Sequence, residues 1–517
     1  MSARRHLSLL LPLCCLAITS LPAQLQPVTV PRGLVRLEFG GRFDYWDRRY
    51  LDGTRQDAAG DFIRSPFDGA FLPALAADEA ALRRVTGVPA ISLSLGASTG
   101  SMLVNVGTGN IGAAYGLGSR LTLFGNVPIV RVRVQNVFAL DSTEATAGFN
   151  PAHPVFGNSS QGGQTATFLN QLDAALGTVA ANLAAGAYDA DPARKALAQQ
   201  TLTQGTTLQT DLEALLLGAT FLPLAGTAGA TAITAPIESL RTSLTTLTGP
   251  GFDAVPAFPT SRLSGAAFEG FATNPEGPIA SSPFQAPILQ YLGDVELGAA
   301  FAWLERRPAA GLGLRSVIQG TVRLRTGRLD LPQNFFDRST GDRQSDLQAD
   351  LVTDVFSRGF GARITARYVH QLPGRVTSRI TSPDQPIAPA GATAELERDP
   401  GEIVELGIEP FIRIAPTLAL LGGVRRWSKG ADSYAYTRSQ APIDGLSPDL
   451  LAIGSKENAT LLSASLSFAH DGIRKDGTTG LPMDAAVRWE RVIGSSLGRV
   501  PERHTVAVQL RLYRKLF

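Results

Sequence analysis

Residues 35–45 read VRLEFGGRFDY, and this stretch decides the fold class. Its odd-numbered positions are apolar, aromatic or small, whereas its even-numbered positions include Arg36, Glu38, Arg42 and Asp44. Because successive side chains of a β-strand point to opposite sides, the pattern predicts a strand with one apolar and one charged face. A single strand of this kind also suits the half-buried sheet of a soluble protein. The fold class therefore depends on whether the pattern repeats.

The same alternation recurs at 312–325, 346–351, 362–368 and 506–512. Strands are predicted to start near residues 34, 102, 120, 293, 311, 345, 362, 402, 418, 458, 483 and 505. A water-soluble β protein seldom places so much charge opposite each apolar face. We therefore predict an all-β fold, a transmembrane antiparallel β-barrel of about twelve strands with a helical extracellular insertion.

The connections between these strands alternate in length. The short or fairly short ones are 115–119, 307–310, 357–361, 415–417 and 471–482. The links between them have about 55, 155, 17, 30, 29 and 12 residues. Barrels of the outer-membrane type have short periplasmic turns and long outer loops. Closure of the barrel also pairs every backbone donor and acceptor in lipid, where water is absent. The alternation of short and long connections therefore favours a barrel with both chain ends on the periplasmic side.

The N-terminus has the features of a secretory signal peptide over residues 1–23, with Arg4 and Arg5 before an apolar run. Both cysteines, Cys14 and Cys15, lie in it, so the exported chain would contain no thiol. The 47 basic residues include Arg4 and Arg5, so removal of the signal leaves 45 basic against 45 acidic residues. This balance argues against a nucleic-acid partner. The expected location is the bacterial outer membrane.

We expect three regions after the signal: barrel strands one to three with a long first loop (34–137), a helical insertion or cap (138–289) and strands four to twelve (290–517). About 150 residues separate Val137 from Leu289, which is too long for an unstructured link. Apolar residues, mostly leucines, spaced three and four apart in 169–183, 208–215 and 237–247 predict helices, and Asp191-Pro192 predicts a helix start. Residues 249–287, rich in Pro and Gly, would be a tether. A static cap and a gate or partner-binding device both fit this pattern.

If the apolar positions face lipid, the alternate charged positions face the lumen. The predicted lumen-lining residues are Arg36, Glu38, Arg42, Arg315, Arg323, Arg325, Asp346, Asp350, Arg363, Arg367, Arg488, Glu490 and Arg511. They could pair with one another into a salt-bridged core, as befits a narrow barrel. They could instead line an open polar channel whose arginines favour anions or polarisable rings.

Aromatic residues near strand ends predict the interfacial girdles of a membrane barrel. Those near outer ends are Tyr45, Trp46, Tyr368 and Trp427, and those near inner ends are Tyr115, Trp303 and Tyr513.

No catalytic, metal or cofactor site is expected. His153, His370, His470 and His504 are scattered, and no pair has the spacing of metal ligands. Barrel phospholipases exist, but His370 and His470 lack the residues that follow the histidine in that family. We therefore expect no enzymatic activity.

Several short motifs carry a family resemblance. The segments AYGLGSRLTL (114–123), VPIV (127–130), GDVELG (293–298) and RTG (325–327) resemble outer-membrane transporter-like proteins of the phenol meta-cleavage-pathway type. That family is related in general form to hydrophobic-compound and fatty-acid transporter barrels. The resemblance covers 34–137 and 290–517, and it implies uptake of aromatic or other hydrophobic molecules.

The sequence thus predicts a channel or transporter for small hydrophobic or aromatic solutes, with a non-transporting surface or envelope protein as the alternative. The expected partners are outer-membrane lipid, a small hydrophobic solute and the barrel-assembly machinery, which reads a C-terminal aromatic such as Phe517. Phe517 has the opposite parity to the apolar positions of the last strand, which weakens its interpretation as an assembly signal.

Overall fold

The computed structural model describes residues 28–157, 159–249, 251–285, 288–308, 311–341, 344–470 and 480–515. The predicted signal peptide (1–23) and Phe517 lie outside these residues. The described residues form twelve long strands, numbered here in chain order: β1 Leu34–Trp46, β2 Ala97–Gly116, β3 Leu121–Asp141, β4 Glu296–Arg306, β5 Gly313–Arg323, β6 Asp346–Phe356, β7 Phe360–Gln371, β8 Ile403–Ala415, β9 Leu418–Lys429, β10 Glu457–His470, β11 Met483–Gly494 and β12 His504–Lys515.

These strands form one closed antiparallel barrel. Each strand pairs with its neighbours in the chain, and β1 also pairs with β12, with Phe39 opposite Leu510. Every strand starts within five residues of its predicted start. The predicted fold class, a transmembrane antiparallel barrel of twelve strands with helices in an insertion, is confirmed.

The barrel is apolar outside and charged inside. On β1 the side chains of Leu37, Phe39 and Phe43 are 43–46% exposed, whereas Arg36 is only 5% exposed. A soluble half-buried strand would bury the apolar residues and expose the arginine. The reversed pattern is the one that lipid requires, because an apolar belt then faces the hydrocarbon chains.

One end of the barrel has short connections and the other has long ones. The turns 117–120, 357–359 and 416–417 are short. The connection 307–312 is also short, and its residues 309 and 310 lie outside the described residues. Most of the predicted turn 471–482 also lies outside them. The opposite end carries the loops 47–96, 142–295, 324–345, 372–402, 430–456 and 495–503.

The long loops contain the remaining secondary structure. The helices are α1 Pro73–Thr86, α2 Ser159–Ala184, α3 Pro192–Gly218, α4 Ala228–Thr248 and α5 Gly265–Thr273, with 3-10 turns at Gly60–Phe62, Ala390–Ala392 and Pro448–Ala452. Short strands occur at Arg48–Leu51, Thr54–Asp57, Ala147–Phe149, Phe221–Pro223, Leu289–Leu292, Gly374–Arg379, Thr393–Asp399, Ser433–Tyr436 and Arg499–Pro501. Among the described residues, none of the helices has the length and apolar character needed to cross a membrane.

The helices pack into one unit, which we call the cap (residues 58–96 and 142–285). Its core includes Leu172 of α2, Leu215 of α3 and Ile233 of α4, all fully buried. As expected from Asp191-Pro192, α3 starts there, and the Asp191 carboxylate accepts the backbone N–H groups of Ala193 and Arg194 at 3.1 Å. This interaction satisfies two amide donors that the helix itself leaves unpaired.

The cap differs from the sequence prediction in two places. The first loop contributes α1, whose Leu75 and Leu82 are fully buried in the same core. The predicted tether 249–287 contains α5, because Phe268 and Phe271 are three residues apart and both pack into that core.

The barrel wall itself completes the cap core. Strands β2 and β3 extend beyond their neighbours, and their inward side chains Val104, Val130, Val132 and Val134 are buried in the cap. The cap is therefore built on one side of the barrel rim, over the tall β2–β3 hairpin.

Asp78 is a buried acid that joins α1 to the rest of the cap. Its carboxylate accepts the backbone N–H of Phe221 at 2.8 Å and that of Thr220 at 3.3 Å. Burial raises the pKa of Asp78 to about 7, although the two hydrogen bonds act in the opposite direction. The pKa of Asp78 in the folded protein lies above its ordinary value of 3.8, so folding favours the protonated carboxyl group. The cap is therefore most stable below pH 3.8 and loses this stability as the pH rises through about 7.

The substitution Asp78→Asn should remove this pH dependence, because an amide oxygen still accepts a backbone N–H but does not ionise. In limited proteolysis of the purified protein, cleavage in the cap should accelerate between pH 5 and pH 8 for the wild type and stay flat for the variant. Asp253→Asn changes an exposed acid of the cap and should keep the wild-type profile. A wild-type cap equally protected at both pH values would contradict this role of Asp78.

Candidate channel lumen

Most of the predicted lumen-lining residues occupy inward-facing positions on the strands. They are Arg36, Glu38 and Arg42 on β1, Arg315 and Arg323 on β5, Asp346 and Asp350 on β6, Arg363 and Arg367 on β7, Arg488 and Glu490 on β11, and Arg511 on β12. Their outward neighbours on the same strands, such as Ile318, Leu351 and Val487, are exposed.

Arg325 is placed differently from its prediction. Strand β5 ends at Arg323, and Arg325 lies exposed in the following loop. The chain leaves the strand ladder because the Thr326 hydroxyl donates to the carbonyl of Gly293 at 2.7 Å and accepts the N–H of Val295 at 2.9 Å. The alternating pattern continued past the strand end in the sequence and gave no signal of this turn.

At the inner end of the lumen, one carboxylate on β1 pairs with arginines of β1 and β12. Arg36 pairs with Glu38 at 2.5 Å, and Arg511 reaches the other oxygen of Glu38 at 3.3 Å. Gln509 also donates to Glu38, at 3.2 Å. Each of these groups is enclosed by the barrel, so pairing offsets the cost of removing its charge from water.

In the middle of the lumen, ion pairs cross the interior. Arg488 of β11 pairs with Glu409 of β8, and Arg425 of β9 pairs with both Glu405 and Glu490. Because β8 and β11 are separated by β9 and β10 in the sheet, the pair between Arg488 and Glu409 spans a chord of the barrel. Glu405, Glu409 and Arg425 were missed in the sequence, although they alternate with the apolar residues of their strands.

A second set of pairs lies between β6 and β7. Arg363 pairs with Asp354 at 2.7 Å, and Arg367 pairs with Asp350 at 2.6 Å. Arg323 of β5 contacts Asp346 of β6 at 3.1 Å. We call strands β1, β5–β9, β11 and β12 together the charged wall.

The opposite side of the lumen is uncharged, and we call it the neutral wall. Along the whole described length of β2 and β3, no charged side chain faces inward. The inward side chains there include Val106, Thr108 and Asn110 of β2 and Phe124 and Asn126 of β3. On β4 the wall continues with Ala300 and Ala302, which are buried. The lumen is therefore amphiphilic, with ion pairs on one side and apolar or neutral groups on the other.

The middle of the lumen contains open space. The side chain of Arg42 is 40% exposed and that of Arg367 is 41% exposed, although both lie at inward positions. In a fully packed interior, these side chains would have little accessible surface. The ion pairs therefore line the middle of the lumen without filling it.

Residues 28–33, which we call the strap, lie at the inner mouth. The Val30 N–H donates to the Thr122 hydroxyl of β3 at 2.8 Å, and Arg315 of β5 donates to the Thr29 hydroxyl at 2.6 Å. Arg36 of β1 donates to the Val28 carbonyl at 3.3 Å. These contacts join the strap to β1, β3 and β5, which belong to one continuous part of the wall. The sequence pattern gave no indication of it.

Four of the predicted girdle aromatics face outward: Tyr45, Tyr115, Trp303 and Tyr368. Tyr45 stacks on His504 with ring centroids 4.9 Å apart at the outer end of β1 and β12. Trp489, which was not singled out in the sequence, also faces outward on β11.

Three predicted girdle aromatics face inward instead. Trp46 packs against the cap core, and Trp427 packs against Ala459 and Leu461. Tyr513 is buried, and its hydroxyl donates to the Asp484 carboxylate. The physical reason is parity, because each has the parity of the inward charged residues of its strand, such as Asp44, Arg425 and Arg511.

The histidines do not form a metal centre within the described residues, where no group of three or more potential ligands occurs. His370 contacts Glu402 at 2.5 Å through Nδ1. His153 caps a turn by accepting the N–H of Val155 at 3.1 Å.

No family model matches the sequence, and no curated protein matches it. Among solved structures, the chain is similar to an outer membrane channel from Pseudomonas putida F1, with 8% identity, a TM-score of 0.42, and 95% of this chain and 100% of that chain covered. It is also similar to the Pseudomonas putida toluene transporter TodX, with 10% identity, a TM-score of 0.23, and 94% and 90% covered. The transport unit of the autotransporter AIDA-I from Escherichia coli matches with 7% identity, a TM-score of 0.29, and 95% and 93% covered. These matches concern the barrel fold alone.

Arg488 allows a test of the ion pairs that cross the lumen. Arg488→Met leaves Glu409 and Glu490 enclosed without this cation, so the free energy of unfolding should fall by about 3–5 kcal/mol. Equilibrium urea unfolding in lipid vesicles measures the change. The matched control is Arg307→Met, because Arg307 pairs with Glu305 at 2.7 Å in an exposed position. The control should lose less than about 1 kcal/mol, and equal losses would contradict a structural role for the crossing pairs.

Proposed function

We propose that this protein is a channel of the bacterial outer membrane for small hydrophobic or aromatic solutes. The observation that carries the proposal is the neutral wall, which runs inside the barrel on β2 and β3 opposite the paired charges. An apolar solute loses nothing by leaving water along such a surface, whereas an ion would lose hydration there.

The ion pairs of the charged wall would contribute little to the attraction of solute anions. The inward arginines are largely held by carboxylates, for example Arg363 by Asp354 and Arg425 by Glu405 and Glu490. Arginines that are already paired offer little attraction to a solute anion. Their planar faces remain suitable for contact with an aromatic ring, which favours polarisable solutes over simple ions.

The strap lies on the route by which a solute would leave the proposed channel. Val30 and Thr29 are buried among wall residues at the inner mouth, so a solute that leaves by that mouth would pass the strap. The proposal therefore includes strap movement as a step of transport, and it includes no catalytic step.

A second candidate is a non-transporting surface or envelope protein. The strap and the densely packed cap core favour it, because both would suit a permanently sealed barrel. In that case, the exposed outer loops would bind a partner.

Uptake of radiolabelled toluene by Gram-negative cells producing the protein tests the proposal. The wild type should increase the initial rate above that of cells with an empty vector. Asn110→Arg, which places a cation on the neutral wall, should reduce this increase at least fivefold. The matched control is Gln319→Arg on β5, where the new cation lies beside Asp350. This control should retain most of the increase.

Heat-modifiable migration on gels verifies that each variant is folded. Uptake by the wild type equal to that of the empty vector would overturn the proposal in favour of the sealed barrel. Equal losses in both variants would show that the neutral wall is not the path.

A further inference from the structure

The outward face of β3 changes character along its length. Between Leu121 and Ile129 its outward side chains are apolar or small, and Leu123, Val127 and Ile129 are exposed. The next two outward positions are Arg131 and Arg133, which are both exposed. Since the short turns face the periplasm, these arginines lie where the apolar belt ends on the outer-leaflet side.

Neither arginine has a protein partner among the described residues. Gly107 of β2 and Gln290 lie opposite Arg131, and Asn105 of β2 lies opposite Arg133, so no acidic residue flanks them in the sheet. Their guanidinium groups make no ion pair or side-chain hydrogen bond to the described part of the chain.

Two outward cations at the same end of the barrel do have partners. Arg426 of β9 donates to the Thr460 hydroxyl at 2.8 Å, and Arg491 of β11 pairs with Glu502. Arg131 and Arg133 differ from these two cations, and an anion that complements them would come from outside the chain.

We propose that Arg131 and Arg133 bind the phosphate group of an anionic lipid of the outer leaflet. A guanidinium group forms paired hydrogen bonds with phosphate oxygens, and two of them at alternate positions of one strand lie close enough to share a headgroup. The acyl chains of the same lipid then lie against the apolar surface of Leu123, Val127 and Ile129, directly below the arginines.

This site would anchor the cap to the membrane. Arg131 and Arg133 alternate on β3 with Val130, Val132 and Val134, which are buried in the cap core. A lipid held on the outer side of the strand therefore fixes the strand that supports the cap on its inner side. The inference does not depend on solute transport.

Native mass spectrometry of the purified full-length protein in neutral detergent, titrated with diphosphorylated lipid A, tests the site. The wild type should bind one lipid at least tenfold more tightly than Arg131→Gln/Arg133→Gln. The matched control is Arg120→Gln/Arg358→Gln, which removes two exposed arginines from turns at the opposite end of the barrel. It should bind lipid A like the wild type.

A second arm uses dephosphorylated lipid A with the same acyl chains, and the wild type should bind it at least tenfold more weakly. Equal affinity for the two lipids would overturn the proposal, because contact with the apolar belt alone would then explain binding. Equal loss in the control variant would also overturn it, since overall charge would be responsible.

Discussion

The structure depends on one constraint: each strand must present apolar side chains to lipid while the alternate side chains are enclosed with one another. Because successive side chains point to opposite faces of a strand, the residues between the lipid-facing ones must point inside. Arg36 cannot turn to solvent without moving Leu37 and Phe39 off the lipid face, so its charge has to be compensated within the barrel. The Glu38 carboxylate provides this compensation, and it also pairs with Arg511 of the adjoining strand β12.

The distribution of the enclosed charges gives the barrel its asymmetry. Ion pairs occupy β1, β5–β9, β11 and β12, and some of them connect strands that are not adjacent, as Arg488 and Glu409 do. The β2–β3 hairpin needs no such pairs because its inward residues are apolar or neutral. At its outer end, the same hairpin continues into the cap core through Val130, Val132 and Val134. One hairpin thus supports the cap, forms the neutral wall and carries the unpaired arginines on its membrane side.

Much of this fold could be predicted from the sequence, because alternation and turn spacing are local properties. They gave the strand positions and the inward parity of residues such as Asp350 and Arg367.

The errors occurred where a strand ends, or where a residue was assigned by its position along the strand and not by its odd or even number. Arg325 lies beyond the end of β5, and Trp46, Trp427 and Tyr513 were assigned to the girdle by position along the strand although their parity places them inside. Ion pairs across the lumen and the strap were not predictable, since they join residues brought together only when the barrel closes. The first-loop helix α1 was missed because its core partners lie in a distant part of the chain.

Cysteine labelling along β2 tests the central claim most directly, because the chain contains only Cys14 and Cys15, both in the predicted signal peptide. Single cysteines at residues 106–111 would be treated in vesicles with a small water-soluble maleimide and, separately, with a lipid-confined quencher acting on a fluorescent label. The account predicts that even positions react with the maleimide and that labels at odd positions are quenched from the lipid. Uniform reactivity along the strand, or the opposite parity, would contradict the assignment of an enclosed, accessible neutral wall and a lipid-facing apolar belt.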